Sequence, residues 1–110
     1  YTNITGSNNS ANGYRSLYAN TTGSSNTASG FESLNNNTTG SNNSALGKHT
    51  KTGNFSGSVI LGLDATATAD NQFVVGSVGT VAGAVATAAT PQSKVWNVVI
   101  NGVAQQILLA

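Results

Sequence analysis

The feature that most constrains this chain is an internal repeat in its first half. The pattern Asn-x-(Thr/Ser)-Gly occurs at Asn3 to Gly6, Asn20 to Gly23, Asn37 to Gly40 and Asn54 to Gly57, a constant period of 17. A second element runs in phase with it. Ser10-Ala11-Asn12-Gly13, Thr27-Ala28-Ser29-Gly30 and Ser44-Ala45-Leu46-Gly47 return at the same period. The unit is therefore two half-repeats, each closed by glycine, and a fixed period of this size is the mark of a stacked-coil architecture.

The residues between the glycines suit short strands. They are runs of Ser, Thr, Asn and Ala with no apolar stripe at helical spacing, which excludes helix in this half. Glycine at a fixed phase supplies positive φ or close backbone approach, and a neighbouring Asn tolerates the left-handed region. Gly6, Gly13, Gly23, Gly30, Gly40, Gly47, Gly57, Gly62 and Gly76 are accordingly read as the corners of the coil. Each short strand then pairs in parallel with its counterpart one repeat away, Ala11 over Ala28 over Ala45, Tyr14 over Phe31, Leu17 over Leu34. Asn, Ser and Thr at fixed positions are expected to form side-chain ladders along the stack.

Composition by itself argues for disorder, because residues 1–57 hold few large apolar side chains. Against that stand a charged fraction of only 6 % and the regularity of the spacing. Such a half cannot build a monomeric core, so stability is expected from the backbone ladder and from assembly. With no cysteine and no methionine, neither disulfides nor thiolate metal sites are available. Arg15, Lys48, Lys51 and Lys94 are scattered and the net charge is +1, which gives no field for nucleic acid. No apolar run has the length of a membrane helix, so no membrane insertion is expected. The chain starts at Tyr1 rather than Met, from which an upstream portion is expected.

The third repeat departs from the first two at Lys48 and Lys51, which suggests the end of the regular segment or a wetter surface there. Beyond Asn54 the pattern changes register: Ser58-Val59-Ile60-Leu61-Gly62 replaces the Ser-Ala-x-Gly element, and Phe73-Val74-Val75-Gly76 follows it at an interval of 14. Between them, residues 63–71 alternate like a strand and end in an Asp-Asn corner. Residues 78–93 form a Gly/Ala-rich connection, read as extended rather than as a short helix at 83–89, because Gly83 and the β-branched Val81, Val85 and Thr87 disfavour helix. Residues 94–110 read as a β-hairpin: Val95 to Ile100 and Val103 to Leu109 joined by Asn101-Gly102, a type I′ turn signal. The domain reading is thus 1–77 for the roll, 78–93 for the connection and 94–110 for the hairpin.

Asn43-Ser44-Ala45-Leu46-Gly47 and Thr66-Ala67-Thr68-Ala69-Asp70-Asn71 resemble the head repeats of trimeric autotransporter adhesins. The resemblance covers roughly residues 3–77. It implies an all-β, homotrimeric, left-handed parallel β-roll (a β-solenoid) with one coil per repeat. The first three repeats of this chain are longer than that family's usual unit. The terminal hairpin, with Val95 to Gly102, is similar to the C-termini of phage tail fibre and receptor-binding proteins.

Chemistry for catalysis is sparse. Glu32, Asp64 and Asp70 are the only acidic side chains and His49 the only imidazole. Asp64 and Asp70, six apart on an alternating stretch, are placed on one face, as a polar edge and a turn residue rather than a glycosidase pair. The chain is read as no enzyme, with no cofactor. In a trimer His49 would be tripled, which allows a three-His metal site on the axis. The sequons at Asn3, Asn20, Asn37 and Asn54 coincide with the corners and are explained by corner chemistry rather than glycan attachment. Exposed Tyr14, Phe31 and Tyr18 suit a ligand surface for sugars, or else Tyr14 and Phe31 pack on a neighbouring chain. The expectation is a trimeric fibre head on a virion that binds a host cell surface glycan or protein. The alternatives are the head of a bacterial surface adhesin and a purely structural trimerisation module.

Overall fold

A computed structural model of the protein describes residues 2–76, 94–100 and 103–109. The described chain is all-β. Five short strands, β1 (Ser10–Asn12), β2 (Thr27–Ser29), β3 (Ser44–Leu46), β4 (Val59–Leu61) and β5 (Phe73–Val75), stack in sequence order into one parallel sheet. Neighbouring rungs are joined by a full coil of chain, which makes a β-solenoid of about four turns. The register is the one the repeat implies, with Ala11 opposite Ala28, Ala28 opposite Ala45, Ala45 opposite Ile60 and Ile60 opposite Val74. Strands β6 (Lys94–Ile100) and β7 (Val103–Leu109) pair antiparallel, Ile100 opposite Val103. The Asn101-Gly102 turn and the 78–93 connection lie outside the described residues.

Three columns of corners fold the coil. Gly13, Gly30, Gly47, Gly62 and Gly76 all have positive φ, between 77° and 143°. A Cβ on Gly30 would overlap the carbonyl oxygen of Gly47 and stand 2.7 Å from its carbon, so this corner admits no side chain. At Gly6, Gly23 and Gly40 the glycine answers to crowding instead. A Cβ on Gly23 would overlap the Gly40 oxygen and lie 2.5 Å from Asn20 Oδ1. The left-handed residue of that second corner stands two positions later, at Asn8, Ser25 and Asn42. The third column is Arg15, Glu32, His49 and Asp64, with φ between 52° and 56°.

Two asparagine ladders run through the interior. Asn20 Nδ2 donates to Asn3 Oδ1 and Asn37 Nδ2 to Asn20 Oδ1, each at 3.1 Å, while each amide also donates to the carbonyl of the glycine three positions on. Thr52 ends this ladder by donating to Asn37 Oδ1 at 2.9 Å. In the second, Asn26 N and Asn43 N donate to the side-chain oxygen of the Asn one coil before, and Ser58 N continues to Asn43 Oδ1, all at 3.0 Å. Among the described residues no buried side-chain nitrogen or oxygen lacks a partner. A polar interior this complete avoids the desolvation cost of about 1–3 kcal/mol for each orphaned group.

The apolar interior is small: Leu17, Leu34, Ala28, Ala45, Ile60, Ala65 and Ala67. Leu17 and Leu34 adopt φ of 50° and 51° and are wholly buried. The left-handed conformation costs a non-glycine residue about 1–2 kcal/mol, and burying the leucine returns about 1.5–3 kcal/mol. The interior leucine therefore sustains the turn that carries it.

The coil does not keep the period of its first repeats throughout. Ser44 pairs with Val59, an interval of 15, and Val59 with Phe73, an interval of 14. Asn54-Phe55-Ser56-Gly57 is consequently not the fourth copy of the asparagine corner. Thr52 takes the place of Asn37, the carbonyl of Phe55 meets Gly40, and Gly57, with φ 72°, joins the column of Asn42. The shortening follows Thr50, which still keeps the full period from Ser33, with their hydroxyls 2.7 Å apart. The missing residues are those that form the leucine turn. Lys48 and Lys51 are exposed, the wetter surface expected there, and the 17-residue period ends beside them, while parallel stacking continues through the bridge from Lys51 to Thr66.

Candidate functional site

The residue after each glycine corner faces outward, which sets Tyr14, Phe31, Lys48 and Leu63 in one exposed row. The next residue is the left-handed one and forms an adjacent row of Arg15, Glu32, His49 and Asp64. The two rows are locked in register by backbone bonds, with Glu32 N donating to Tyr14 O, His49 N to Phe31 O and Asp64 N to Lys48 O, at 2.8–2.9 Å. Five of the eight Lys, Arg, Asp, Glu and His residues of the chain converge on this strip.

Charge alternates along the second row. Arg15 Nη1 lies 3.6 Å from Glu32 Oε1, and the other Glu32 oxygen is 3.0 Å from His49 Nε2. His49 Nδ1 reaches Asp64 Oδ1 at 3.2 Å. Both ring nitrogens thus face carboxylates. Among the described residues no group of three or more His, Cys, Asp and Glu is placed to hold a metal ion.

The first row is held by its rings. Tyr14 and Phe31 stack at 5.3 Å between centroids with 21° between planes, and Phe31 meets His49 at 5.6 Å. The Arg15 guanidinium lies 5.4 Å from the centroids of both Tyr14 and Tyr18, and Lys48 Nζ lies 5.6 Å from that of Phe31. Tyr14, Phe31 and Tyr18, predicted as ligand residues, are therefore brought together on one strip. Tyr14 and Phe31 stack on one another beside cations and both stay exposed to solvent.

Asp64 and Asp70 do not share a face. Asp64 pairs with His49, while Asp70 accepts from Ser56 N at 2.7 Å at a different corner. At the sequons, Asn20 and Asn37 are buried in the ladder, which fits corner chemistry. Asn54 also works at a corner, with Oδ1 accepting from Thr38 N at 2.5 Å and from Thr38 Oγ1 at 2.7 Å.

A second surface lies around the glycine corner, on the outer face of the sheet. On β1 and β2 it carries Ser10, Asn12, Thr27 and Ser29; β3 carries Ser44 and Leu46; β4 and β5 carry Val59, Leu61, Phe73 and Val75. Leu46 is 59 % and Phe73 67 % exposed, so the apolar end of this face is uncovered. The sequence showed both surfaces in outline. Arg15, Glu32 and His49 recur at the repeat interval with alternating charge, and that spacing was the available signal for their pairing. Comparisons with protein families, with curated proteins and with solved structures find no match for the chain.

Proposed function

We propose that the chain is one third of a homotrimeric, non-enzymatic fibre head, the distal part of a phage tail fibre that attaches to a glycan or protein of the host cell surface. The observation that carries this reading is the division of the surface. Apolar side chains gather at one end of the sheet face, while charge and aromatic rings gather on a separate corner strip. The first suits contact between copies and the second suits recognition. Exposed apolar patches of this kind mark interaction sites on soluble proteins, and small scaffolds with little core are usually stabilised by association.

The C-terminal strands add to the assembly half of the reading. Val95 to Ile100 and Val103 to Leu109 place apolar residues at successive positions, whereas a strand with one wet face alternates. Burying four such side chains in each chain contributes about 6–12 kcal/mol before entropy is subtracted. The hairpin then locks the trimer rather than serving as its tip.

Sedimentation equilibrium at micromolar concentration tests the assembly, with a trimer expected and a folded monomer overturning it. Removing residues 94–110 is expected to lower the melting temperature steeply and loosen the trimer. Unchanged melting with loss of attachment would make the hairpin the tip. A glycan array probed with the whole chain tests recognition, and a binding signal separates this reading from a purely structural module.

A further inference from the structure

We infer that Asn12-Gly13 is a self-modifying site, at which the Asn12 amide is converted through a cyclic imide into aspartate and isoaspartate without any enzyme. Two independent features of the first coil meet there. One is the leaving group. The position before the glycine corner is Asn12, Ser29, Leu46, Leu61 and Val75 in successive coils, so only the first coil places a carboxamide beside the corner. The other is the nucleophile. Gly30 N, Gly47 N, Gly62 N and Gly76 N each donate to the carbonyl before the corner of the preceding coil, at 2.8–2.9 Å. Gly13 N has no such acceptor among the described residues, because β1 is paired on one side only, to β2, and an edge strand leaves a row of N–H groups unpaired. Gly13 also has no Cβ to shield its nitrogen. Asn12 is exposed and stands outside both ladders, whereas Asn20, Asn26, Asn37 and Asn43 are buried with their amides engaged.

The Gly13 nitrogen attacks Asn12 Cγ, and the new N–Cγ bond closes the imide. The Cγ–Nδ2 bond breaks, and the amide group leaves as ammonia with the proton given up by the Gly13 N–H. Water then adds at either imide carbonyl. Opening at one gives aspartate; opening at the other gives isoaspartate, whose side-chain methylene now lies in the main chain. Ring closure requires Asn12 to swing out of the extended conformation, which opens a single corner bond, from Gly30 N to Asn12 O at 2.8 Å. At the next rung two would have to open, because Gly30 N donates to Asn12 O and Ser29 O accepts from Gly47 N. Either product adds one negative charge, which takes the formal net charge from +1 to zero. Isoaspartate also displaces the carbonyl that Gly30 N uses, so the rung between β1 and β2 loosens while the rungs from β2 to β5 keep their bonds.

The test incubates the full folded chain at neutral and at mildly alkaline pH, digests it with trypsin and reads each asparagine by mass spectrometry, with isoaspartate located by fragmentation. Cleavage after Arg15 and Lys94 separates Asn12 from Asn101, which also precedes a glycine and lies outside the described residues. Asn12 is expected to convert faster than Asn8 and Asn9 of the same peptide, to convert faster at the higher pH, and to give both products. Ser29→Asn sets the same dipeptide one coil inward, where Gly30 N is bonded. There the introduced amide is expected to convert about fivefold more slowly than Asn12, the factor that one net backbone hydrogen bond is worth. In urea the two are expected to convert alike. In converted chain isolated by ion exchange, hydrogen exchange is expected to quicken at Gly30 N and to stay unchanged at Gly47 N. Equal rates at Asn12 and at the introduced amide in folded Ser29→Asn overturn the inference. Whether or not that variant folds, conversion of Asn8 or Asn9 as fast as Asn12 in the native chain overturns it too.

Discussion

The first two coils and the last two are the same rung built from different materials. In the longer coils the interior is asparagine, serine and one leucine, and the sheet's outer face is hydroxyl and amide. In the shorter ones the interior is Ile60, Ala65 and Ala67 beside Thr50, Thr52 and Ser58, and the outer face is Leu46, Val59, Leu61, Phe73 and Val75. Backbone pairing is unchanged across the join, with Ser44 N donating to Ser58 O at 2.9 Å as Thr27 N donates to Asn43 O at 2.8 Å. The comparison teaches that the rung is fixed by backbone geometry and glycine clearance. What fills the coil is negotiable.

That contrast can be broken most severely at the clearance itself. Gly30→Val places a side chain at φ 134° against the Gly47 carbonyl and is expected to cost several kcal/mol, on the order of 4 or more, or to abolish folding. Ser29→Val, one residue away on the outer face, is expected to change stability by less than about 1 kcal/mol. Equal thermal melting of the two variants would show that the corners are misplaced.

The two interiors are then set against each other. Asn37→Leu removes partners of Asn20, Thr52 and the Gly40 carbonyl together and is expected to cost about 3–5 kcal/mol, several orphaned groups at about 1–3 kcal/mol each being partly relieved by water. Ile60→Val trims one methyl and is expected to cost about 0.5–1.5 kcal/mol. Chemical denaturation of both variants measures the difference, and a smaller loss at Asn37 than at Ile60 would mean that the ladder is ornamental.

The outer faces differ in the same direction. Phe73→Ser with Val75→Ser is expected to weaken association at least tenfold while the coil spectrum by circular dichroism persists, whereas Thr27→Ala with Ser29→Ala leaves association unchanged. Sedimentation velocity reads both. Equal effects of the two pairs would place the contact between copies elsewhere. The smallest effect belongs to the exposed charge row: Glu32→Gln is expected to cost about 0.5–1 kcal/mol in thermal or chemical melts, less at high salt, because pairs at the surface are screened.

Much of this was legible in the sequence because glycine and alanine leave little choice. The Ser-Ala-x-Gly spacing set the register of β1, β2 and β3 directly, and Gly62 and Gly76 marked the shortened coils. The asparagine motif misled at Asn54, where residue identity kept the old period while pairing had already shifted by two. A pattern of side chains cannot report that shift, since the register is decided by bonds at Thr50 and Thr52 that exist only in the stack. The left-handed leucines were equally hidden, for no rule of composition marks Leu17 as a corner residue. In the candidate strip the rings and the interval of 17 linking Arg15, Glu32 and His49 were legible, whereas Asp64 stands 15 after His49 and joins the row only through the shortened coil.

The leucine turn has a consequence for how such a solenoid can change. It enlarges the perimeter of a coil without altering its pitch, since Ser33 and Thr50 stay side by side whether or not the turn follows. Insertions there leave the strand register alone and touch the neighbouring coil at one bond, from Ala19 N to Asn35 O. A foreign peptide grafted at 35–36 would be displayed at a fixed height along the solenoid, and tandem coils would carry several such displays at regular intervals.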